Sequence, residues 1–328
     1  MTFRIDLVTI FPELFPGPLS IGLVGKAFAA GRAEARYLNP RDWATDKHQK
    51  VDDVPYGGGA GLVMKYEPLA GAIAEVRRRG SGPVVMLTPQ GRPLLQADLQ
   101  RWSKGDHLAL VSGRYEGFDE RVLSLVDEEI SVGDFVLTGG EIPALLIVDG
   151  VVRLLPGTLG NADSPMHDSF EDGLLEHPHY TRPVKLPAGE VPEVLSSGHH
   201  AQIAAWRHQQ SVLRTFQRRP DLWLRAQASA EDWALLRSQG AVLEVWLELT
   251  GSPAPPLLEA LGRARDALGF DQLRLLGPGL GTLSMPGFSS AESLEDAQTS
   301  RPGARIVATF APPPSPFGLV RRAFVVFA

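Results

Sequence analysis

Glycines gather in four short stretches of this chain, at Tyr56–Gly61 (YGGGAG), Thr88–Gly91 (TPQG), Ser112–Gly117 (SGRYEG) and Gly133–Pro143 (GDFVLTGGEIP). Runs of glycine free backbone N–H groups to approach an anion closely, so each stretch is a candidate ligand loop. The first is not a phosphate loop of the nucleoside triphosphate kind, because no Gly-Lys-Ser/Thr follows and the dinucleotide spacing fails as well. Histidines suggest other chemistry. His177-Pro178-His179 sets two imidazoles at i and i+2 on one side of an extended segment, with His167, Asp168 and Glu176 close by, which leaves a metal site of nitrogen and oxygen ligands open. His199-His200, at the head of a predicted helix, reads as capping or surface chemistry. There are no cysteines. Disulfides, thiolate zinc sites, iron–sulfur clusters and cysteine nucleophiles are therefore excluded together, and any chemistry comes from oxygen and nitrogen groups.

Cations are concentrated rather than abundant. The formal net charge is −6, yet between Ser196 and Arg225 five arginines (Arg207, Arg214, Arg218, Arg219 and Arg225) face one acid, Asp221. The spacing predicts a helix over His199–Gln217, with Ile203, Trp206, Leu213 and Phe216 on a buried side. Arg207, Arg214 and Arg218 recur at i, i+7 and i+11 on another side, as a helix would carry them along a phosphate backbone; a solvated face is the alternative.

The elements that must position these residues are legible in outline. At 328 residues, 44% hydrophobic and 21% charged, the chain is long enough for about two domains and rich enough for buried cores, so global disorder is excluded. Apolar runs at Phe3–Ile10, Val84–Thr88, His107–Ser112 and Ala144–Val148 alternate with helical segments at Pro68–Arg79 and Leu95–Lys104. This predicts an α/β domain with a mostly parallel sheet covered on both faces, whose glycine loops converge at strand carboxyl ends. Asn161–His167 is polar and aperiodic, and is expected to link this domain, residues 1–160, to a second over 168–239. A third unit, residues 240–328, is expected as a small α/β extension. Its strand-like runs are Ala241–Thr250, Leu273–Leu276, Ala304–Ala311 and Val320–Phe327, with a helix at Pro255–Leu268 and a proline turn at Pro312–Pro316. No run reaches the ~20 apolar residues of a membrane span and the first residues lack a secretory pattern, so a cytoplasmic location without membrane contact is expected.

Seven motifs in order carry a resemblance. YGGGAGLVMK (Tyr56–Lys65), SGRYEGFDERV (Ser112–Val122), VGDFVLTGGEIPA (Val132–Ala144), RLLPGTLGN (Arg153–Asn161), DSFEDGLLEHPHYTRP (Asp168–Pro183), LSSGHH (Leu195–His200) and RTFQRRPDL (Arg214–Leu222) resemble those of the bacterial tRNA (guanine-N1)-methyltransferases, the TrmD family of the SPOUT class. The resemblance spans roughly residues 1–239. It implies a SPOUT-type parallel sheet whose C-terminal part forms a deep trefoil knot, followed by a mainly helical tRNA-binding domain. It also implies a homodimer with active sites built from both chains. The implied methyl donor is S-adenosyl-L-methionine, held by Leu87, Thr88, Pro89 and Gly91, by Gly113, Tyr115 and Glu116, and by Val132, Gly133, Asp134, Phe135, Val136, Leu137, Gly139, Gly140 and Pro143.

The implied product is 1-methylguanine at position 37, in the anticodon stem-loop of tRNA. Guanine N1 carries a proton and is a poor nucleophile, so the reaction needs a base; Asp168 matches the family's. Charge then spreads onto O6, where Arg153 matches the family's stabilising guanidinium. Asp168 also reads as the N-terminal cap of a helix begun by Ser169 and Phe170. Arg207, Arg214, Arg218 and Arg219 become the expected contacts to the anticodon stem backbone. The resemblance implies Mg2+ as well, for which no ligand set stands out. A metal-dependent phosphoesterase built on His177, His179 and Asp168, and a tRNA-binding module without catalysis, are the rival readings; neither accounts for the glycine loops together with Arg153 and Asp168.

Overall fold

The computed structural model of the chain describes residues 2–159, 168–223, 226–239, 243–249, 272–276, 288–291, 305–310 and 320–327. It divides into two compact units, Met1–His167 and Asp168–Ala328. The expected linker Asn161–His167, the helix expected at Pro255–Leu268 and the turn at Pro312–Pro316 lie outside the described residues.

In the first unit the elements run β1 (Phe3–Val8), α1 (Pro16–Leu19), α2 (Gly22–Ala29), β2 (Ala33–Leu38), β3 (Asp52–Asp53), β4 (Val63–Met64), α3 (Tyr66–Arg79), β5 (Val84–Pro93), α4 (Gln96–Ser103), β6 (His107–Ser112), β7 (Glu128–Ser131) and α5 (Glu141–Leu154). Five strands form one parallel sheet in the order β2-β1-β6-β5-β7. β6, in the middle, is buried at every residue, which is why Leu108–Val111 is an unbroken apolar run rather than an alternation. One face packs Ile5, Leu7, Leu108 and Leu110 against α2, α4 and α5 through Val24, Leu99, Ile147 and Val151. The other packs Val84, Met86, Ala109 and Val111 against Leu69, Ile73 and Val76 of α3.

β1 and β6 are also joined by a buried polar pair. The Gly82 N–H donates to His107 Nδ1 at 3.1 Å, so the ring proton sits on Nε2 and is given to Asp6 Oδ2 at 2.9 Å. His107 is thus a satisfied core histidine. β5 pairs with β7 in two stretches separated by a register shift between Leu87 and Arg92. Gly91 sits in that shift, where a Cβ would collide with the backbone at Glu129 and Ile130; only glycine lets the two strands approach so closely there.

Two expectations are corrected. Ala144–Val148 is not a strand but the middle of α5, whose buried residues Ala144, Ile147, Val148, Val151 and Val152 fall at helical spacing. A short buried apolar run does not by itself distinguish strand from helix. β7, with the sequence EEIS, was not expected, since half of it is acidic. Its Glu128 is held by Arg92 and Arg101 at 2.6 and 2.8 Å, which neutralise an anion the strand pattern alone would place in solvent.

The second unit begins with turns and a small hairpin, β8 (Lys185–Leu186) with β9 (Gly189–Glu190). α6 (His200–Arg218), α7 (Pro220–Trp223) and α8 (Ala230–Ser238) follow, and gather around Leu174, Val212, Trp223 and Leu236. Trp223 meets Phe216 and Trp233 edge-on, at interplanar angles of 81° and 75°. The expected helix with its arginines is therefore observed, one residue out of register at each end. A further sheet holds β10 (Leu243–Leu249), β11 (Gln272–Leu276), β12 (Phe288–Ala291), β13 (Arg305–Phe310) and β14 (Val320–Phe327) in the order β12-β11-β10-β14-β13. β10, β11 and β12 are parallel, and β14 runs antiparallel to both its neighbours. β12 was not expected. Among the described residues, no helix is long and apolar enough to cross a membrane.

Candidate active site

A cavity of about 300 Å³ opens at the carboxyl ends of β6 and β7, where the chain leaves each strand through a glycine loop, and beside the middle of β5, where Thr88–Gly91 interrupts its pairing with β7. Parallel α/β sheets place ligands at this edge because the departing loops expose backbone groups there. Of the residues expected to hold the methyl donor, Leu87, Thr88, Pro89, Gly113, Tyr115, Glu116, Val132, Gly133, Phe135, Val136, Leu137, Gly139, Gly140 and Pro143 line the cavity. Gly91 and Asp134 do not: Gly91 serves the β5–β7 approach, and Asp134 is exposed. The first glycine stretch, at Tyr56–Gly61, is not part of the lining either.

The loops meet through backbone. The Gly140 N–H donates to the Gly113 carbonyl at 2.9 Å, and a Cβ on Gly140 would lie 2.7 Å from the Cα of Ser112. The Glu116 N–H donates to Leu62 O, and the Met64 N–H to Gly117 O, both at 2.9 Å, which ties the second loop to β4 and its approach. Tyr115 holds a left-handed φ of 62°, uncommon for a residue with a side chain. Partial burial, with the Asp52 carboxylate beside it, pushes its phenol above the usual tyrosine range. Phe135, Val136 and Leu137 are 56%, 83% and 43% exposed, an apolar lip on the third loop.

One wall holds a charge pair not anticipated from sequence. Arg114 Nε lies 2.9 Å from Glu141 Oε2, and Glu141 is only 1% exposed. The other carboxylate oxygen accepts a hydrogen bond from Thr9 Oγ1 at 2.8 Å. Arg114 also donates to the Thr138 carbonyl at 3.2 Å and stands over the Phe11 ring, 4.6 Å from its centroid. Glu141 occupies the first turn of α5, where a carboxylate is favoured by the helix dipole. The pair couples the β6 loop to the start of α5 and to the end of β1. Both residues stand inside glycine motifs, yet residue types alone do not say that one of them is buried.

Arg153 is half-buried in the last turn of α5, on the face that carries Ile142, Leu146 and Asp149 at i, i+4 and i+7 before it. Asp168 opens the second unit, half-buried, and is not a helix cap as expected. Residues 168–175 form turns, with the Glu171 N–H on the Asp168 carbonyl at 3.3 Å, Phe170 at φ 78°, and the Glu176 N–H on Ser169 Oγ at 3.0 Å. A side chain at positive φ breaks the helix before it starts. On α6, Arg207 and Arg218 are exposed and Arg214 half-buried. Arg219 is engaged by Asp221 at 2.7 Å. Glu176, His177 and His179 bring one ligand atom each within 4.8 Å of the other two. Asp168, which the phosphoesterase reading needs, is not among them.

Comparison with known proteins gives consistent matches. Residues 3–225 match the family model described as tRNA (Guanine-1)-methyltransferase TrmD. A tRNA (guanine-N(1)-)-methyltransferase of Synechococcus sp. (strain WH7803) is 56% identical over 226 residues, 69% of this chain and 93% of the relative. That of Thermosynechococcus vestitus (strain NIES-2133 / IAM M-273 / BP-1) is 56% identical over 239 residues, 72% of this chain and 98% of the relative.

Proposed function

The chain belongs to the tRNA (guanine-1)-methyltransferase family, and on that premise we propose that it methylates N1 of the guanine at position 37 of tRNA, with S-adenosylmethionine as methyl donor. The observation that carries the reading is the cavity at the ends of β6 and β7 and beside β5, lined by residues of three glycine-containing stretches. Its volume falls at the lower end of the ~300–1,000 Å³ range of small-molecule pockets. A Cβ at Gly140 would push into Ser112 and close the cradle, so the absence of side chains there fits a flat ring held by backbone groups. Bound in this cavity, the donor supplies an electrophilic methyl group on a sulfonium.

The remaining chemistry falls to the protein. Asp168 accepts the proton of guanine N1, which makes the N1 lone pair available for in-line attack. An ordinary aspartate is too weak a base for that proton unless the anion it leaves is stabilised as it forms. Arg153 donates to O6, where that charge accumulates, and so favours the transition state over the ground state. Arg207, Arg214 and Arg218 lie along the anticodon stem backbone and orient the tRNA without reading its sequence. The target base is turned out of the loop to reach the donor.

The working form is a homodimer. Leu14, Ile21, Leu23, Ile142 and Leu146 are 43%, 69%, 39%, 59% and 48% exposed, a concentration of apolar surface on the α1–α2 corner and the outer face of α5. Arg153 shares that face of α5, so a symmetric interface there would bring a second chain to the edge of the site. The knot, the three-part division of the chain and a cytoplasmic location belong to the same reading.

The test is methyl transfer from labelled S-adenosylmethionine to paired tRNA transcripts with guanine or adenine at position 37, followed by digestion to nucleosides. Label in 1-methylguanine from the guanine transcript alone is expected. No transfer with donor binding intact would sink the substrate and leave the cavity assignment standing.

A further inference from the structure

The triad of half-buried Glu176 and His177 with exposed His179 plays no part in the reaction derived above. We propose that it is a binding site for a borderline divalent cation of the zinc class. The donor set is one carboxylate and two imidazoles, the combination that selects such metals over hard ions. One ligand atom from each residue lies within 4.8 Å of the other two, and His179 Nε2 is 2.7 Å from Glu176 Oε1. The two rings lie 4.6 Å apart at 45°. Zinc bound at about 2.0–2.2 Å needs ligand atoms roughly 3.3–3.5 Å from one another, so the ligand atoms here draw together as the ion binds.

The backbone is held on both sides of the triad. The Leu175 N–H donates to Thr215 Oγ1 at 2.7 Å, and Thr215 is fully buried in α6. The Glu176 N–H is held by Ser169 Oγ at 3.0 Å. Beyond the triad, Tyr180 packs against Trp206 of α6 with centroids 6.4 Å apart. Pro178 fixes φ between the two histidines. A held backbone lowers the ordering cost of bringing three ligands to one ion. Three ligands leave a fourth tetrahedral position, and with the His179 side chain 65% exposed it opens to solvent, where water or a phosphate oxygen can bind. Mg2+, which demands octahedral oxygen ligands, is the wrong ion for this set.

The site is tested on the full chain by zinc titration calorimetry in millimolar Mg2+, and by the visible spectrum of the Co2+-loaded protein. One equivalent per chain, unmoved by Mg2+, with a cobalt spectrum of four-coordinate intensity, is expected. His177→Ala and His179→Ala should each weaken binding by at least the ~10–100-fold that losing an outer ligand partner costs. Glu176→Gln keeps a hydrogen bond to His179 but loses the charge, and should weaken binding with an unchanged thermal melt. His199→Ala/His200→Ala removes the other adjacent histidine pair and should change nothing. Loss of the equivalent in that control, or its survival in the His177→Ala/His179→Ala protein, would overturn the assignment. Methyl transfer is read separately, so neither result depends on the catalytic reading.

Discussion

Glu141→Gln removes the buried charge that backs Arg114 of the cavity wall, while preserving shape and the hydrogen bond to Thr9. Glu141 is 1% exposed, the Arg114 side chain 20% exposed, and their charged atoms lie 2.9 Å apart. At an effective dielectric constant near 20, that separation corresponds to about 6 kcal/mol of gross attraction, most of it offset by desolvation. Removing one partner of a buried pair typically costs about 3–5 kcal/mol, because the other charge stays behind. Arg114 keeps the Thr138 carbonyl and the Phe11 ring and is itself partly exposed, so a cost at or just below that range is expected, about 2–3 kcal/mol. For a unit of this size each kcal/mol lowers the melting temperature by about 2–4 °C. Calorimetry should therefore show a fall of about 4–12 °C, with at least a tenfold loss in S-adenosylmethionine affinity as the β6 loop loosens. A double-mutant cycle with Arg114→Leu isolates the pair and should give about 2 kcal/mol of coupling. A coupling below about 0.5 kcal/mol would show that Arg114 and Glu141 hold their loops independently, contrary to the reasoning here.

Other perturbations probe the site and its support. Asp98 is held down to about 2, chiefly by the Arg92 guanidinium bonded to both its oxygens, against an ordinary value of 3.8. Its contribution is present above pH 3.8 and lost as pH falls through 2; Asp98→Asn should cost about 1–2 kcal/mol at pH 7, allowing for the half-exposed arginine, and flatten the acid limb of a stability profile. Gly140→Ala places a methyl 2.7 Å from the Ser112 Cα and should abolish donor binding by equilibrium dialysis, whereas Gly58→Ala, away from the cavity, should leave it intact. Arg153→Lys should lower kcat at least about tenfold with little change in tRNA affinity, because a compact ammonium cannot reproduce a fixed fork. Near-normal turnover would remove the O6 contact from the mechanism. Arg207→Ala and Arg218→Ala should raise KM for tRNA and each lower the salt slope of binding by roughly one, with kcat preserved.

What the sequence made legible follows from how directly each feature depends on residue type. β1, β5 and β6 are readable because strands buried on both faces carry dense apolar stretches, as at Val84–Leu87 and Leu108–Val111. The cavity is readable through its glycines, since close backbone approach admits no other residue at Gly140. α5 was misread in its middle because a buried helix and a buried strand share the same short apolar run. β7 was hidden because its acids are neutralised by Arg92 and Arg101, which reach it only after the chain has folded. Asp168 was misread as a cap because the turn that displaces the helix depends on Phe170 adopting positive φ, a choice made by surroundings and not by residue type. The Arg114–Glu141 pair was invisible for a related reason: Thr9, which completes it, is 132 positions from Glu141, and only the assembled sheet brings the two together.

The same dependence separates the two ends of the chain. The relatives cover 69–72% of this chain but 93–98% of their own length, so the C-terminal stretch of this chain lies beyond the part they share. The added sheet pairs its first strand, β10, with its last, β14, over seven registered positions, and the N- and C-terminal parts of the extension close on each other. A segment closed in this way can be appended without interrupting the parallel sheet, whose five strands all precede Asp168. The cavity loops, Arg153 and Asp168, on which the catalytic reading rests, all lie within residues 3–225, the part that the family model matches.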